Sequence, residues 1–381
     1  MESLFLFAVL LELEKEFLSS FIRIHFNFYC FSFWEAIVRT WIWVLFFSQS
    51  LLATEMKLPW SALPKTPPIP KNNPMTPEKV YLGRQLFLDP RLSKDGTVSC
   101  NSCHNVMASG GDNRAFSAGI NGKLGGRSAP TVWNSAFHTV QFWDGRAASL
   151  EEQAKGPLTN PIEMAMDNPQ AVVDRIAKIP GYVSQFKKVF GDTTITIDEV
   201  AKAIAAYERT LMTPNSPFDR YIRGDKKAMS PQAVRGMNTV IEVGCVSCHT
   251  GRNFNAPDDL PMGEGFYQKF PTFIDNEYVA KYKLLEDKGR GPLTKDEGND
   301  YFFRVPTWRN VALTAPYFSN GAIKTLDEAV RVMAKVQLNK ELTVNQVADI
   351  VEFLKALTGE RPKQQMPELP PDPPGMTTID G

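Results

Sequence analysis

The sequence predicts a mainly α chain of two helical halves with long loops, and three observations predict it. Helix-start signals recur along the chain, each followed by apolar residues three and four positions apart. No long run alternates apolar and polar residues as a half-buried strand would. A five-residue unit, Cys-x-x-Cys-His, occurs once in each half, in "SCNSCHNV" from Ser99 and in "GCVSCHTG" from Gly244. At 381 residues the chain is long enough for two cores. Its 43% hydrophobic and 22% charged residues are those of a soluble globular protein. Lys plus Arg and Asp plus Glu balance at 42 each, which argues against a nucleic-acid partner.

Residues 1–53 form a leader rich in Phe, Leu, Trp and Ile, broken by Glu12, Glu14, Lys15, Glu16, Arg23 and Glu35. No uninterrupted apolar run there reaches the roughly 18 residues of a membrane span. Arg39, the apolar stretch 41–47 and the small residues of 48–53 resemble an export signal. If retained, the segment would instead be an amphipathic or single-span anchor. A misplaced start codon would remove its first part altogether. Residues 54–77 include a Pro-rich arm, 63–77.

Thr76-Pro77-Glu78 opens a helix carrying Val80, Leu82, Leu86 and Phe87, and with it the first half, residues 78–220. Ser149 with Glu152, Thr196 with Glu199, Thr325 with Glu328 and Thr343 with Gln346 each match a capping box. The helix from Ile197 aligns Val200, Ile204, Tyr207 and Leu211. That after Thr343 aligns Val347, Ile350, Leu354 and Leu357 and is expected to stop at Gly359. Residues 213–231 read as a hinge into the second half, 221–360, and the Pro-rich tail 361–381 reads as a solvated or strap-like extension. The loops 106–132 and 251–302 are long enough to wrap a large prosthetic group.

The Cys-x-x-Cys-His unit names that group. In a helical turn, two cysteines three positions apart face one side, and each sulfur can form a thioether with a haem vinyl. The histidine that follows rises beneath the iron as an axial ligand. Zinc or thiol-redox chemistry would explain the cysteines but not a histidine in the next position, twice. Cys100, Cys103 and His104 are therefore expected to hold one covalent c-type haem, and Cys245, Cys248 and His249 a second. Such attachment takes place outside the cytoplasm, so the periplasm is the expected location, with membrane anchoring if the leader is kept. The remaining cysteine, Cys30, implies no disulfide framework.

Between and beyond these units an ordered series of segments carries a resemblance: "LGRQLFLDPRLS", "SAPTVWNSAF", "QFWDGRAASLEEQAKGP", "IEM", "TPNSPFD", Trp308-Arg309-Asn310 and "LTAPYFSNGAIKTL". From Leu82 to Gly359 the chain resembles the bacterial di-haem cytochrome c peroxidases. The resemblance implies two cytochrome-c-like helical domains with one haem each, facing one another across the interface, in a likeness usually found as a homodimer. It implies reduction of hydrogen peroxide with electrons from a small soluble cytochrome c or cupredoxin. Peroxide would react at the His104 haem, with Glu163 moving protons and Gln153 orienting the peroxide. Trp143 would lie between the haems, and Met333 would be the sixth ligand of the His249 haem, raising its potential. On the residues alone Glu163 reads as a surface helix position, and Trp143 and Met333 as core.

The resemblance also implies calcium between the domains. The carbonyl segment survives at Thr314-Ala315-Pro316, but Ser128 replaces an asparagine, which predicts weaker or lost binding. Ile120 stands where reductively activated relatives have a loop histidine, and Ser319 replaces another family histidine. His138 is the spare histidine of the first half and reads as packed rather than ligating. Two other functions stay open: a di-haem oxidase acting on a protein or organic substrate, and a non-catalytic di-haem electron carrier. The family's tryptophan-oxidising branch carries a tyrosine in place of Met333, which disfavours the first of these.

Overall fold

A computed structural model describes residues 58–191 and 194–374. The expectations for the leader, Cys30 and the last residues of the tail lie outside the described residues. Regular structure among the described residues is helical apart from one two-stranded ribbon. No helix among them is long and apolar enough to cross a membrane.

The first half is built on α1 (Pro77–Leu88), a single turn α2 (Cys100–Cys103), α3 (Leu150–Thr159), α4 (Pro169–Ala177), α5 (Pro180–Phe190) and α6 (Ile197–Glu208). Thr76 caps α1 by accepting from the Lys79 amide, and Pro77 fills the first turn. Leu82, Leu86 and Phe87 of α1 and Val200, Ile204 and Tyr207 of α6 are buried in one core with Trp133. The two helices cross closely because Gly83 has no side chain: a Cβ there would lie 1.8 Å from the Ala203 carbonyl oxygen.

The second half repeats the device. After α7 (Pro217–Ile222), α8 (Pro231–Val243) packs on α12 (Val344–Lys355) through Gly236, where a Cβ would lie 1.9 Å from the Asp349 carbonyl oxygen. Trp60, Phe218, Phe254 and Phe353 form an aromatic cluster beneath this pair. The long loop 251–302 is more ordered than expected. It carries the short helices α9 (Glu277–Lys281) and α10 (Gly291–Thr294) and closes through an antiparallel ribbon, β1 (Tyr267–Lys269) with β2 (Phe302–Arg304). Three-residue strands are too short to show alternation, which hid them in the sequence. The helix α11 (Leu326–Leu338) follows.

Of the expected capping boxes, Thr196/Glu199 and Thr343/Gln346 are reciprocal. Ser149 accepts from the Glu152 amide. The Thr325 side chain makes no cap bond, and the Glu328 carboxylate, which would complete the box, accepts from the Tyr282 hydroxyl. A box not anticipated joins Ser216 to Asp219, and Asp219 also pairs with the fully buried Arg309 at 2.8 Å. The segment 213–231 is pinned at its start, where the Thr213 hydroxyl oxygen accepts from Asn134 and Asn310 at 2.8 and 2.9 Å. Gly359 is not the stop of α12, which ends at Lys355. It is required instead for close approach, since a Cβ would lie 1.8 Å from the Thr213 carbonyl oxygen. The tail is a strap across the first half: Tyr207 donates to Gln364, Gln85 to the Glu368 carbonyl, and Arg91 pairs with Asp372 at 2.7 Å.

Candidate active site

Each Cys-x-x-Cys-His unit forms one tight turn. The His104 amide donates to the Cys100 carbonyl at 2.9 Å, and the His249 amide to the Cys245 carbonyl at 3.1 Å. The Nδ1 of His104 lies 3.0 Å from the Pro130 carbonyl oxygen, and that of His249 lies 2.9 Å from the Phe254 carbonyl oxygen. A carbonyl only accepts, so Nδ1 carries the proton in both rings and Nε2 keeps its lone pair. Burial lowers both pKa values, that of His249 to about 4, which keeps the imidazoles neutral. Trp308 stacks on His249 with ring centroids 4.2 Å apart. No disulfide joins the cysteines of the two units, and burial pushes the Cys103 and Cys245 thiols up to about 11, which disfavours thiolate chemistry. Among the described residues no cluster of three or more His, Cys, Asp or Glu side chains could hold a metal ion. Paired uncharged thiols beside one oriented imidazole fit a haem, at both places.

A cavity of about 600 Å³ opens beside Cys103 and His104. Gln153, Glu163, Trp143 and Arg146 line it, so the three residues expected to be catalytic are brought together. Glu163 follows α3, where Pro161 prevents the helix from continuing. Asn160 Nδ2 donates to Glu163 Oε1 at 2.9 Å, leaving Oε2 for the cavity. Burial raises the Glu163 pKa, against opposing pulls from Arg146 and the Asn160 bond. The Gln153 side chain, on α3, makes no hydrogen bond to a described residue. Gly119 lets the loop 106–132 lie against this segment, since a Cβ would sit 2.0 Å from the Ile162 carbonyl oxygen. Ile120 next to it is buried, with its amide on the Glu163 carbonyl at 2.9 Å, and is not a lining residue. Sequence reasoning missed Glu208, a buried lining carboxyl pushed up to about 8, whose Oε2 has no hydrogen-bond partner. Only its position at the end of α6, one residue past the buried Tyr207, could have flagged it.

Two smaller cavities, about 170 and 70 Å³, flank His249. Met333 of α11 lines both, as does Trp143. Trp143 therefore borders the cavities of both histidines, held by a bond from Nε1 to the Ser128 carbonyl at 2.8 Å. Its turn is tight: Phe142 and Gly145 have φ of 67° and 66°. His138 is buried, and its Nδ1 faces Asn255 Nδ2 at 2.9 Å and Arg304 Nη1 at 3.0 Å. With donors on Nδ1, the proton sits on Nε2, and burial beside Arg304 holds the pKa well below the usual histidine range. His138 is thus a packed histidine. Ser128, Thr314 and Pro316 share a wall of one His249 cavity. The Ser128 hydroxyl donates to the Arg114 carbonyl, while Asn113 takes the carbonyls of Leu313 and Ala315. Ser319 donates to Asp287.

Fold and site together define a helical haem peroxidase with two haem positions. Residues 77–227 match the family model described as di-haem cytochrome c peroxidase. The chain is 43% identical over 304 residues to the cytochrome c551 peroxidase of Nitrosomonas europaea, covering 80% of this chain and 87% of the relative. It is 42% identical over 302 residues to the cytochrome c551 peroxidase of Pseudomonas aeruginosa, covering 79% and 84%. The methylamine utilization protein MauG of Methylophilus methylotrophus is 33% identical over 322 residues, covering 81% and 90%. A solved MauG-like protein associated with microbial copper homeostasis superimposes with a TM-score of 0.68 at 29% identity, covering 78% of this chain and 95% of that one. The chain belongs to the di-haem cytochrome c peroxidase family, and it is a peroxidase of the oxidoreductase class.

Proposed function

We propose that the protein reduces hydrogen peroxide to water at the His104 site, with electrons that enter at the His249 site. The observation that carries this reading is Trp143, which borders the cavities of both histidines. The reaction consumes one peroxide, two electrons and two protons and yields two waters. When bound, haem supplies at each site an iron that exchanges electrons, and at the His104 site one that also binds peroxide. Gln153 offers an unbonded amide to orient the peroxide. Glu163 Oε2 takes the proton of one peroxide oxygen and delivers it to the oxygen that leaves. Its burial keeps water from competing for that proton.

In this reading the haems are covalently attached through Cys100 and Cys103, and through Cys245 and Cys248, one to each of the domains 78–220 and 221–360. Met333 ligates the second iron. Electrons come from a small soluble cytochrome c or cupredoxin. The protein is exported to the periplasm and works as a homodimer. A calcium ion would draw on the Thr314 and Pro316 carbonyls, which no described residue occupies, and on Ser128. Similarity to relatives named methylamine utilization protein MauG keeps open the second reading, a di-haem oxidase acting on a protein or organic substrate. Met333, which lines both His249 cavities where Tyr317 lines one, favours the peroxidase. The test is Trp143→Leu in holoprotein with both haems loaded. Turnover with reduced cytochrome c should fall by at least tenfold while the His104 haem still reacts with peroxide; unchanged turnover refutes the route through Trp143.

A further inference from the structure

Most buried guanidinium groups in this chain are matched by acids or carbonyls. Arg309 pairs with Asp219 at 2.8 Å, and Arg209 with Glu151 at 2.7 Å. Arg175 is sheathed by the carbonyls of Arg91, Ser93 and Lys94, which serve both of its terminal nitrogens. Arg304 is different. It is 4% exposed, and no carboxylate of the described residues pairs with it. Its Nε donates to the Phe142 carbonyl, and its Nη1 to His138 Nδ1 and the Val305 carbonyl. Its Nη2 makes no hydrogen bond to a described residue. Asp144 acts on it from a distance but is already shared by Arg127 and Arg146. Burial lowers the Arg304 pKa to about 10, which still leaves a full positive charge at neutral pH.

The surroundings of this cation are mostly apolar. Arg304 lines the His104 cavity as well, but in the two cavities that flank His249 it is the sole Asp, Glu, Lys or Arg among the lining residues. Leaving a buried charge unpaired is strongly destabilising, so a fixed guanidinium of this kind calls for a counter-charge. A haem brings two carboxylates, on the edge opposite the vinyl groups that cysteines capture. Resting on the reading that Cys245, Cys248 and His249 hold a haem, we propose that Arg304 is the counter-ion of a propionate of that haem and thereby sets its reduction potential. A cation held beside the propionate offsets its charge and disfavours the more positive ferric iron, so it raises the potential. The fork is fixed in advance: the Arg304 backbone amide donates a hydrogen bond to the Trp143 carbonyl at 2.9 Å, and His138 and Phe142 hold the side chain. In this proposal Arg304 is a positioning and tuning residue.

The experiment compares unmodified holoprotein with Arg304→Gln and Arg304→Lys, reading haem content by mass spectrometry and midpoint potentials by optical redox titration. In the glutamine variant the potential of the His249 haem should shift downward, with a smaller shift of the His104 haem. The lysine variant, which keeps charge but loses the planar fork, should lie between it and the unmodified protein. If only the lysine variant loads haem on Cys245 and Cys248, charge is what the site requires, and the proposal stands. A fully loaded glutamine variant with an unshifted potential overturns it, and so does a lysine variant that shifts as far as glutamine. Absence of haem on Cys245 and Cys248 in the unmodified protein would instead defeat the underlying haem assignment.

Discussion

Glu163 shows how far single residues could be read. Its type and position suggest an exposed helix residue, and only the family pattern gave it a role. The structure supplies the physical reason: the chain turns at Asn160-Pro161 and carries the side chain into the His104 cavity. A proton acceptor must start deprotonated, and burial raises the Glu163 pKa above its ordinary 4.5. Activity should therefore decline as pH falls through that raised value, so the acid limb lies above the usual carboxylate range. Glu163→Gln should keep both haems and lower kcat by about two to four orders of magnitude. That variant should also lose the acid limb from whatever rate remains. A pH series of peroxide turnover checks both; near-normal turnover in Glu163→Gln contradicts the assignment. The two Cys-x-x-Cys-His units stood out as haem candidates because a histidine directly after Cys-x-x-Cys has few other uses. Glu208 and Arg304 did not, because nothing in a linear sequence distinguishes a buried charge from a solvated one.

Among the elements, helix starts were legible where local chemistry decides them, as at Thr76, Thr196 and Thr343. At Thr325 no cap bond forms and tertiary contacts take the Glu328 carboxylate, and Gly359 was misjudged because a close approach, not a helix end, demands it. Gly83 and Gly236 escaped notice for the same reason: a mid-helix glycine looks unfavourable until the crossing helix is seen. Gly236→Ala would push a methyl into the Asp349 carbonyl, and overpacking of this kind costs about 1–3 kcal/mol. Urea unfolding should show a lower midpoint with an unchanged slope; an unaltered midpoint would mean the helices separate freely. The loop 106–132 gives a second expectation. Ile120 has no lone pair, is buried beneath Glu163 and is not on the cavity wall, and His138 is held by Asn255 and Arg304. Ile120 therefore offers no ligand to the His104 site, and His138, which lines the same cavity, presents a protonated Nε2. The oxidised holoprotein should show a high-spin ferric component in its electron paramagnetic resonance spectrum and react with peroxide without prior reduction. A wholly low-spin spectrum, inert until one electron is added, would show that another group has taken the position.

For the whole molecule, the sequence conveyed the mainly α class, the repeated unit and the strap-like tail. It could not convey how the halves are tied, since those ties are long-range polar contacts: Thr213 accepting from Asn134 and Asn310, and Arg309 buried against Asp219. Trp143, which borders the cavities of both histidines, is held by the Ser128 carbonyl and the Arg304 amide, and the central claim is that both sites serve one reaction. The most direct measurement is stopped-flow optical spectroscopy of the fully reduced holoprotein mixed with one equivalent of hydrogen peroxide. Loss of one electron from each haem in a single kinetic phase, with the peroxide consumed, is the predicted result. Oxidation confined to the His104 haem, with the His249 haem left reduced through many turnovers' worth of time, would contradict it.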